Sequence, residues 1–450
     1  MLLTRRGTLT VMLSERMISN VVKIISKRQM LLSPTDKRHL PPPEDGRAYM
    51  MYLHVPFCER LCSYCSYNRY PFCEKAASDY FASLRKEMMM LKDLGYDFEN
   101  ITFGGGTPTV LIDELCETVD LARETFNIKE VSTETNPNHL TPYYLDKLKG
   151  RVERLSVGVQ SFDDDLLRQM DRLEQYGSGE ENIERIAEAA SYFESLSVDM
   201  IYNLPAQSEA MLRRDMEKLV ESGCGQVTYH SLFASDATLK KMKATLGKVD
   251  YNREYYFYKI IDDVLAGGEG APFERRTVWT YNKVNTDGKP NDQLLVDDPG
   301  VAYEEYPAIG SGAISHLRGR LYVNNFSLGG YNEAIESGKM SLIAEAKISE
   351  ANYKRFRFMR QLYDLRLDKK KFEADFGCSV EKALPVEMAF MRLNGAFAVD
   401  NDEELTLTLK GRYLASVIYR QYCISLNSLR DQARATLSGA ERELMFGKGE

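Results

Sequence analysis

The sequence predicts an α/β protein built around a parallel sheet, and two observations carry this prediction. Between residues 50 and 232, six apolar runs of strand length alternate with stretches of helical periodicity. Six strands separated by helices imply parallel pairing with crossover helices. Residues with chemical functions also fall repeatedly just after these runs, and parallel βα units carry their binding loops at the carboxyl ends of the strands.

The individual elements follow from this alternation. The predicted strands cover residues 50–55, 100–103, 131–135, 154–159, 198–203 and 226–232. The predicted helices cover residues 77–94, 113–126, 142–148, 163–170, 180–196 and 209–222. In the first helix, Tyr80, Phe81, Leu84, Met88 and Leu91 recur at helical spacing.

Length and composition limit the class of protein. A chain of 450 residues with 44% apolar side chains suggests two or three domains and an ample core. The net charge of −8 argues against nucleic acid or an anionic membrane as the main partner. Eight cysteines without a recognisable secretory signal indicate a reducing, cytoplasmic location. No apolar run is long enough to span a bilayer.

Four regions are expected along the chain. Residues 1–46 form a basic and then proline-rich extension, and residues 47–340 form the core and its extension. Residues 341–425 form a small α+β, winged-helix-like domain, with a hairpin at 397–400 and 404–408 before a helix at 411–424. Residues 426–450 are a polar tail. The mixed charge of the C-terminal domain gives no reason to infer DNA binding.

Three cysteines follow the first predicted strand at C-x₃-C-x₂-C spacing: Cys58, Cys62 and Cys65. Three thiolates can hold three irons of a [4Fe–4S] cluster and leave the fourth iron open to a small molecule. A structural zinc site usually has four paired ligands, and only Cys73 lies nearby. A disulfide needs an oxidising compartment, for which nothing argues. The spacing therefore favours an open cluster over zinc or a disulfide.

A glycine run after the second strand is a candidate ligand loop. Backbone can approach a ligand closely at Gly105 and Gly106, next to Thr107, and could grip the amino and carboxylate groups of an amino-acid ligand. Such a run also occurs in plain turns. A second glycine-rich turn lies at Gly310 to Ala313.

Polar side chains near the later strands are further candidates. Glu134 ends the third strand, where it could accept from ribose hydroxyls or an ammonium group, or be a solvated helix cap. Gln160 ends the fourth strand, and Arg172 could bind a carboxylate or point to solvent. Asp199 lies inside an apolar run, so it needs either a ligand or a structural ion pair.

A segment without simple periodicity contains Arg275, Arg276 and Trp279. Arginines could pair with substrate carboxylates, and the indole could stack on a flat ligand. A packed surface loop explains the same residues. His230, at the end of the sixth strand, is either a proton donor or a polar strand-end residue.

Together these motifs resemble the oxygen-independent coproporphyrinogen III oxidase family of radical S-adenosylmethionine (SAM) enzymes. The resemblance covers about residues 47–425. The motifs that carry it are Tyr52-x-His-x-Pro-Phe-Cys58 with Cys62 and Cys65, Gly104-Gly-Gly-Thr-Pro-Thr109, Gly158-Val-Gln-Ser-Phe162, Asp199-x-Ile-Tyr-x-Leu-Pro205-x-Gln207 and Gly310-x-Gly-Ala313.

The resemblance implies a partial (β/α)₆ barrel and a defined chemistry. The cluster would reduce SAM to methionine and a 5′-deoxyadenosyl radical, with an electron donor such as flavodoxin or ferredoxin. The residues that would contact the first SAM are Tyr52, Gly105, Gly106, Thr107, Glu134, Gln160, Arg172 and Asp199. Some members bind a second SAM, which would lie near Gly310 and Ala313.

Two departures from the family pattern bear on the activity. The authentic oxidase carries a cysteine where this chain has Tyr67, and the chaperone-like group has a His-Asn-x-x-Tyr-Trp motif that this chain lacks. These differences count against both coproporphyrinogen decarboxylation and plain heme carriage. The expectation is a cytosolic enzyme that oxidises or methylates a tetrapyrrole or similar aromatic. The alternative is a heme-binding chaperone with no net catalysis.

Overall fold

The computed structural model describes residues 30–284 and 303–446. Its centre is a sheet of nine strands, in which six parallel strands are neighbours in chain order. These six strands are Met50–Val55, Asn100–Gly105, Glu130–Thr135, Arg154–Gln160, Ser195–Tyr202 and Gln226–Ser231. The predicted α/β class and parallel core are confirmed. The two edge strands do not pair with each other, as a partial barrel requires.

Short strands extend both edges of this sheet. An antiparallel pair, Phe273–Arg275 and Thr280–Lys283, adds to the strand Gln226–Ser231. At the other edge, Ala308–Ile309 pairs in parallel with Tyr52 and Leu53. Strands of two to four residues are too short to produce a readable alternation of apolar and polar residues. For this reason the sequence showed no periodicity in this region.

Helices connect the strands and cover the sheet. Their bounds are Glu74–Asp93, Ile112–Thr125, Pro142–Leu148, Asp164–Gln169, Leu173–Tyr176, Gly179–Ala189, Glu209–Ser222, Asp236–Leu246, Glu254–Ala266 and Leu328–Glu336. In the first helix, all five predicted face residues are fully buried in the main core. Burying a side chain of this size contributes about 1.5–3 kcal/mol, so this face accounts for the docking of the helix.

The predicted boundaries between the fifth helix and the fifth strand are wrong. The helix predicted at 180–196 ends at Ala189, and the strand predicted from 198 begins at Ser195. Ser195 and Ser197 are buried where this strand pairs with Arg154 and Ser156. Small polar residues inside a central strand break the apolar run on which the prediction depended.

The C-terminal region has its own sheet and its own core. A three-stranded antiparallel sheet, in the order Arg366–Asp368, Glu404–Leu407 and Phe397–Asp400, packs with the surrounding helices. The helices are Glu350–Tyr363, Lys369–Phe376, Val380–Ala383, Pro385–Leu393 and Leu409–Arg434. The last helix, Gly439–Phe446, instead places Met445 in the main core. This arrangement agrees with the predicted small α+β, winged-helix-like unit.

The helix Leu409–Arg434, called here the long C-terminal helix, is ten residues longer at its end than the predicted 411–424. Ser425, Asn427, Leu429 and Ala433 are buried in this continuation. The buried polar residues Ser425 and Asn427 concealed this continuation. The helix crosses residue 426 without a break, so the division there stays a prediction.

The described part of the N-terminal extension packs against the protein. Ser33–Pro34 pairs with Glu345 and Ala344 in a four-stranded sheet that also contains Ile314–Leu317 and Arg320–Asn324. The Leu32 amide donates to Gln432 of the long C-terminal helix. Residues 1–29 lie outside the described part. Among the described helices, none has the length and apolar character needed to cross a membrane.

Candidate cluster and SAM site

The three cysteines lie in one loop at the carboxyl edge of the central sheet. The loop begins at the short strand Phe57–Cys58 and is closed by Tyr70–Pro71, which pairs with it. Cys58 and Cys62 are buried and Cys65 is half-buried. The Cys65 amide donates to the Cys62 carbonyl, which forms a tight turn between two of the thiols. The sheet edge thus presents three free thiols together.

Two buried arginines approach these thiols. Arg69 is 5% exposed, and one of its Nη groups donates to the Cys65 carbonyl at 2.6 Å. Arg172 is 4% exposed and donates to Cys62 Sγ at 3.5 Å and to Asn136 Oδ1 at 2.8 Å. Burial raises the pKa of the Cys58 thiol to about 12, and the nearby Arg69 charge acts in the opposite direction.

Within the described residues, three guanidinium nitrogens of these arginines lack an acceptor: Nε and Nη1 of Arg69, and Nε of Arg172. A buried donor without a partner costs about 1–3 kcal/mol. Such a group needs an explanation, and one explanation is a ligand. An anionic iron–sulfur cluster would supply sulfur acceptors next to these donors. The residues present therefore fit the cluster that the spacing predicted.

The same part of the chain shows no group of three or more His, Cys, Asp or Glu side chains arranged around a single metal ion. A cavity of about 300 Å³ does occur, but it opens beside Lys37, Asn325 and Met340. None of the three cysteines lines this cavity, and we assign no ligand to it.

The glycine loop, residues 104–107, is hydrogen-bonded to the start of the cysteine loop. The amides of Gly106 and Thr107 donate to the carbonyls of Val55 and Phe57 at 2.8 and 2.7 Å. A Cβ at Gly106 would lie 2.5 Å from the Phe57 carbonyl oxygen, and Gly105 has φ +113°. Both positions therefore require glycine for structural reasons. The Thr107 hydroxyl lies 3.7 Å from Cys58 Sγ.

Four further predicted contacts lie along the sheet beside this loop. Glu134 is exposed and accepts from the Gly105 amide at 3.1 Å. The Tyr52 hydroxyl lies 3.2 Å from His54 Nδ1. Asp199 accepts from the Ser156 hydroxyl at 2.9 Å, and Gln160 is half-buried with φ +77°. The structure thus brings the predicted residues to one edge, although their contact with SAM stays a prediction.

The second glycine-rich turn is held inside the protein. The Gly310 amide donates to Glu87 at 2.8 Å, and the Ser311 amide donates to the Tyr80 hydroxyl at 2.9 Å. Ser311 in turn accepts from Asn68 of the cysteine loop at 3.2 Å. Burial raises the pKa of Glu87. The turn therefore supports the cysteine loop, and Ala313 beside it is buried.

Of the two interpretations of Arg275, Arg276 and Trp279, the structure supports the packed loop rather than the substrate contacts. Arg275 pairs with Asp262 at 2.9 Å, and Arg276 pairs with Asp364 at 2.8 Å. Trp279 is 3% exposed and donates from its indole to the Ser416 hydroxyl at 2.6 Å. The ring of His230 packs against that indole. Arg276 and Trp279 thus join the barrel to the C-terminal domain, whereas Arg275 pairs within the barrel.

Sequence reasoning missed one more residue that shapes the site. Asp215 is buried on the helix Glu209–Ser222 and accepts from the Phe162 amide at 2.8 Å and from the Ser161 hydroxyl at 3.0 Å. These bonds fix the loop that presents Gln160. The available signal was an acid on the buried face of an amphipathic helix.

Burial raises the pKa of Asp215 from 3.8 to about 7 in the folded protein, with Asp163 adding to the rise and Lys218 opposing it. The folded state therefore binds this proton more tightly than the unfolded state. The resulting stability is complete below pH ~4 and is lost as the pH rises through ~7.

The Asp215→Asn variant has no carboxyl group at this position. Its stability should therefore not fall in this way as the pH rises. Between pH 4 and pH 8 the wild type should lose about 4 kcal/mol more unfolding free energy than the variant does. Urea denaturation across this range measures this difference. Parallel pH profiles for the two proteins would show that Asp215 does not titrate in this way.

Comparison with known proteins agrees with this geometry. Residues 52–219 match the model of the radical SAM superfamily. Heme chaperone HemW of Lactococcus lactis is 26% identical, with 83% of this chain and 97% of the relative covered. The oxygen-independent coproporphyrinogen III oxidase of Cereibacter sphaeroides is 23% identical, with 83% and 85% covered.

The structure of coproporphyrinogen III oxidase (HemN) from Escherichia coli superimposes with a TM-score of 0.66 and 19% identity, and the match covers 84% of this chain and 90% of that one. This likeness shows a common fold. Residues 52–219, which include the cysteine site, thus match a radical SAM domain. Over most of its length the chain is similar to HemN and HemW relatives, and a radical SAM family implies a [4Fe–4S] cluster and SAM.

Proposed function

We propose that the protein cleaves SAM reductively at a [4Fe–4S] cluster and acts on a tetrapyrrole, a porphyrin or heme, by oxidation or methyl transfer. Cys58, Cys62 and Cys65 would hold the cluster. The observation that carries this proposal is the pair of buried arginines beside the thiols, whose unpartnered N–H groups call for an anionic ligand. The tetrapyrrole is supported by the names of the relatives, a heme chaperone and a coproporphyrinogen oxidase.

Once bound, the cluster would supply the electron that splits SAM into methionine and a 5′-deoxyadenosyl radical. The protein's own part is to orient and to shield. Glu134 and Asp199 offer carboxylates to hydroxyl or ammonium groups of SAM, and Gln160 offers an amide. Arg172 provides a fixed positive charge beside Cys62. Burial lowers the pKa of His54 to about 4, so this residue is uncharged at neutral pH.

The two glycine-rich regions are the places where SAM is expected from the resemblance. Gly105, Gly106 and Thr107 lie beside Tyr52 and the cysteine loop, which supports one SAM there. The Gly310 amide is already bonded to Glu87, and Ala313 is buried. We therefore propose one SAM beside the cysteine loop, and a second SAM near Gly310 and Ala313 stays a prediction from the resemblance. A one-electron donor of the flavodoxin or ferredoxin type would complete the reaction.

Arg69 should tune the cluster. A positive charge beside the cysteine sulfurs stabilises the reduced, more negative state of a cluster. We expect Arg69→Gln to retain iron but to shift the reduction potential to a more negative value, and Arg69→Lys to restore part of the shift. Redox titration followed by electron paramagnetic resonance (EPR) measures this potential. An unchanged potential at full iron content would count against the role of Arg69.

A second function is favoured by a specific finding. Two relatives are named heme chaperone HemW, one from Lactococcus lactis and one from Bacillus subtilis. The match covers 97% of the length of each relative. In that case the protein would bind heme with the same fold and catalyse no net reaction. The absence of the His-Asn-x-x-Tyr-Trp motif from the sequence speaks against it.

The deciding experiment incubates the anaerobically reconstituted protein with SAM and a reductant, with and without a panel of porphyrins and heme. Chromatography then measures 5′-deoxyadenosine and S-adenosylhomocysteine. An amount of 5′-deoxyadenosine that rises with one tetrapyrrole supports the proposal. S-adenosylhomocysteine formed alongside it indicates methyl transfer. Tight heme binding by an intact cluster protein, with neither product, would establish the chaperone function instead.

A further inference from the structure

The long C-terminal helix brings a second set of charges to the cysteine loop. Near its end, Arg434 is buried and donates to the Ser66 carbonyl. One turn earlier, the Arg430 guanidinium lies over the ring of Tyr67, 4.5 Å from its centroid. Tyr67 itself is 44% exposed and lies two residues after Cys65. The C-terminal domain therefore takes part in the surroundings of the cluster site.

Arg430 differs from the other arginines on this helix in lacking an acidic partner. Arg412 pairs with Asp262, Arg420 with Glu254, and Arg434 with Asp431. Among the described residues, no carboxylate lies within ion-pair distance of Arg430, which donates to Asn427 Oδ1. The side chain is half-buried. A stacked, partly desolvated guanidinium without a counter-charge is a ready carboxylate site.

Ring contacts show which space Arg430 faces. The Tyr67 ring beneath the guanidinium lies 6.5 Å, centroid to centroid, from the ring of His54. The Tyr52 hydroxyl lies 3.2 Å from Nδ1 of the same His54. A Cβ at Gly104 would lie 3.0 Å from both Glu134 and the Tyr52 hydroxyl. Arg430 thus faces the same sheet edge as the predicted SAM contacts.

We propose that Arg430 binds a carboxylate of a ligand seated over the three cysteines, with Tyr67 holding the guanidinium in place. The assignment rests on the proposed function of this site. Two ligands there could supply the carboxylate: SAM itself, or a substrate that carries carboxylate side chains. The planar guanidinium fork can donate two parallel hydrogen bonds to either one. Stacking on the Tyr67 ring already restricts the Arg430 side chain, so less side-chain entropy is lost when a ligand binds.

The test measures ligand affinity for anaerobically reconstituted wild type, Arg430→Gln and Arg430→Lys. The probes are SAM, coproporphyrin, which carries four carboxylates, and octaethylporphyrin, which carries none. Loss of a charged hydrogen bond should weaken the carboxylate ligand about tenfold to a hundredfold in Arg430→Gln. Arg430→Lys keeps the charge without the fork, so an intermediate loss is expected. Arg213→Gln, at an exposed arginine on the helix Glu209–Ser222, is the control.

The outcomes separate the two sources. Weaker coproporphyrin binding with unchanged octaethylporphyrin binding assigns the carboxylate to the substrate, and weaker SAM binding alone assigns it to SAM. Unchanged affinity for all probes overturns the assignment of Arg430 but leaves the proposed function intact. If wild type binds no porphyrin while Arg430→Gln weakens SAM, the tetrapyrrole proposal fails and the Arg430 site stands.

Folding of the variants is checked by iron content and thermal denaturation. Tyr67→Ala provides a second variant that leaves the charge of Arg430 in place. It should weaken the same ligand as Arg430→Gln, by a smaller factor, because the guanidinium loses its support. Equal affinity in Tyr67→Ala and wild type would overturn the positioning role of Tyr67.

Discussion

Replacing Cys62 with alanine should remove the cluster and abolish SAM cleavage. Each cysteine thiolate holds one iron, and Cys62 is buried between the turn to Cys65 and the Arg172 guanidinium. Loss of supporting residues around a metal site already costs about 10–100-fold, so loss of a ligand should exceed 100-fold. Iron and sulfide analysis and deoxyadenosine formation under anaerobic conditions measure the two effects.

Cys73→Ala is the matched control, because Cys73 is an exposed cysteine of the same region outside the three-cysteine motif. It should keep about four irons per chain and full SAM cleavage. The account would be contradicted if Cys62→Ala retained full iron and activity, or if Cys73→Ala lost both. The second result would move the cluster ligands away from the predicted spacing.

The second large effect concerns stability. Glu254 and Arg420 form a buried ion pair in which the side chains are 1% and 2% exposed. Glu254 begins the helix Glu254–Ala266 of the barrel, and Arg420 lies on the long C-terminal helix. Removing one partner leaves a buried charge without compensation, which costs about 3–5 kcal/mol. We therefore expect Glu254→Ala to be strongly destabilised.

Urea denaturation of Glu254→Ala, followed by circular dichroism, measures this loss. Asp263→Ala is the control, because Asp263 pairs with Lys259 on the exposed face of the same helix and should matter little. The double change Glu254→Leu with Arg420→Met should recover much of the stability, since an apolar pair avoids the cost of burying charges. Unchanged stability in Glu254→Ala would show that the pair does not join the two regions.

Patterns of neighbouring residues in the sequence predicted the parallel strands and the position of the cysteine motif. Six parallel strands follow from apolar runs, and the place of the three cysteines follows from their position after the first run. The start of the fifth strand was missed because Ser195 and Ser197 are buried polar residues in its interior. Two interpretations of the segment with Arg276 and Trp279 stayed open, since the partners of these residues are distant in sequence.

The candidate site shows the same division. Its cysteines and glycines occur at short, recognisable spacings, and the structure shows why glycine is needed beside the cysteine loop. Arg69, Asp215 and Arg430 have no such signature. Their roles come from burial and from contacts across the fold: Asp215 reaches Phe162, and Arg430 reaches Tyr67. Single-sequence patterns carry no information on such long-range pairs.

The measurement that tests the central claim most directly is the EPR spectrum of the reduced, reconstituted protein before and after addition of SAM. An iron without a protein ligand would bind SAM, so the account predicts a cluster signal that changes its g-values when SAM is added. The same change should be missing from Cys62→Ala. A cluster spectrum indifferent to SAM, or a protein that binds no iron, would contradict the account.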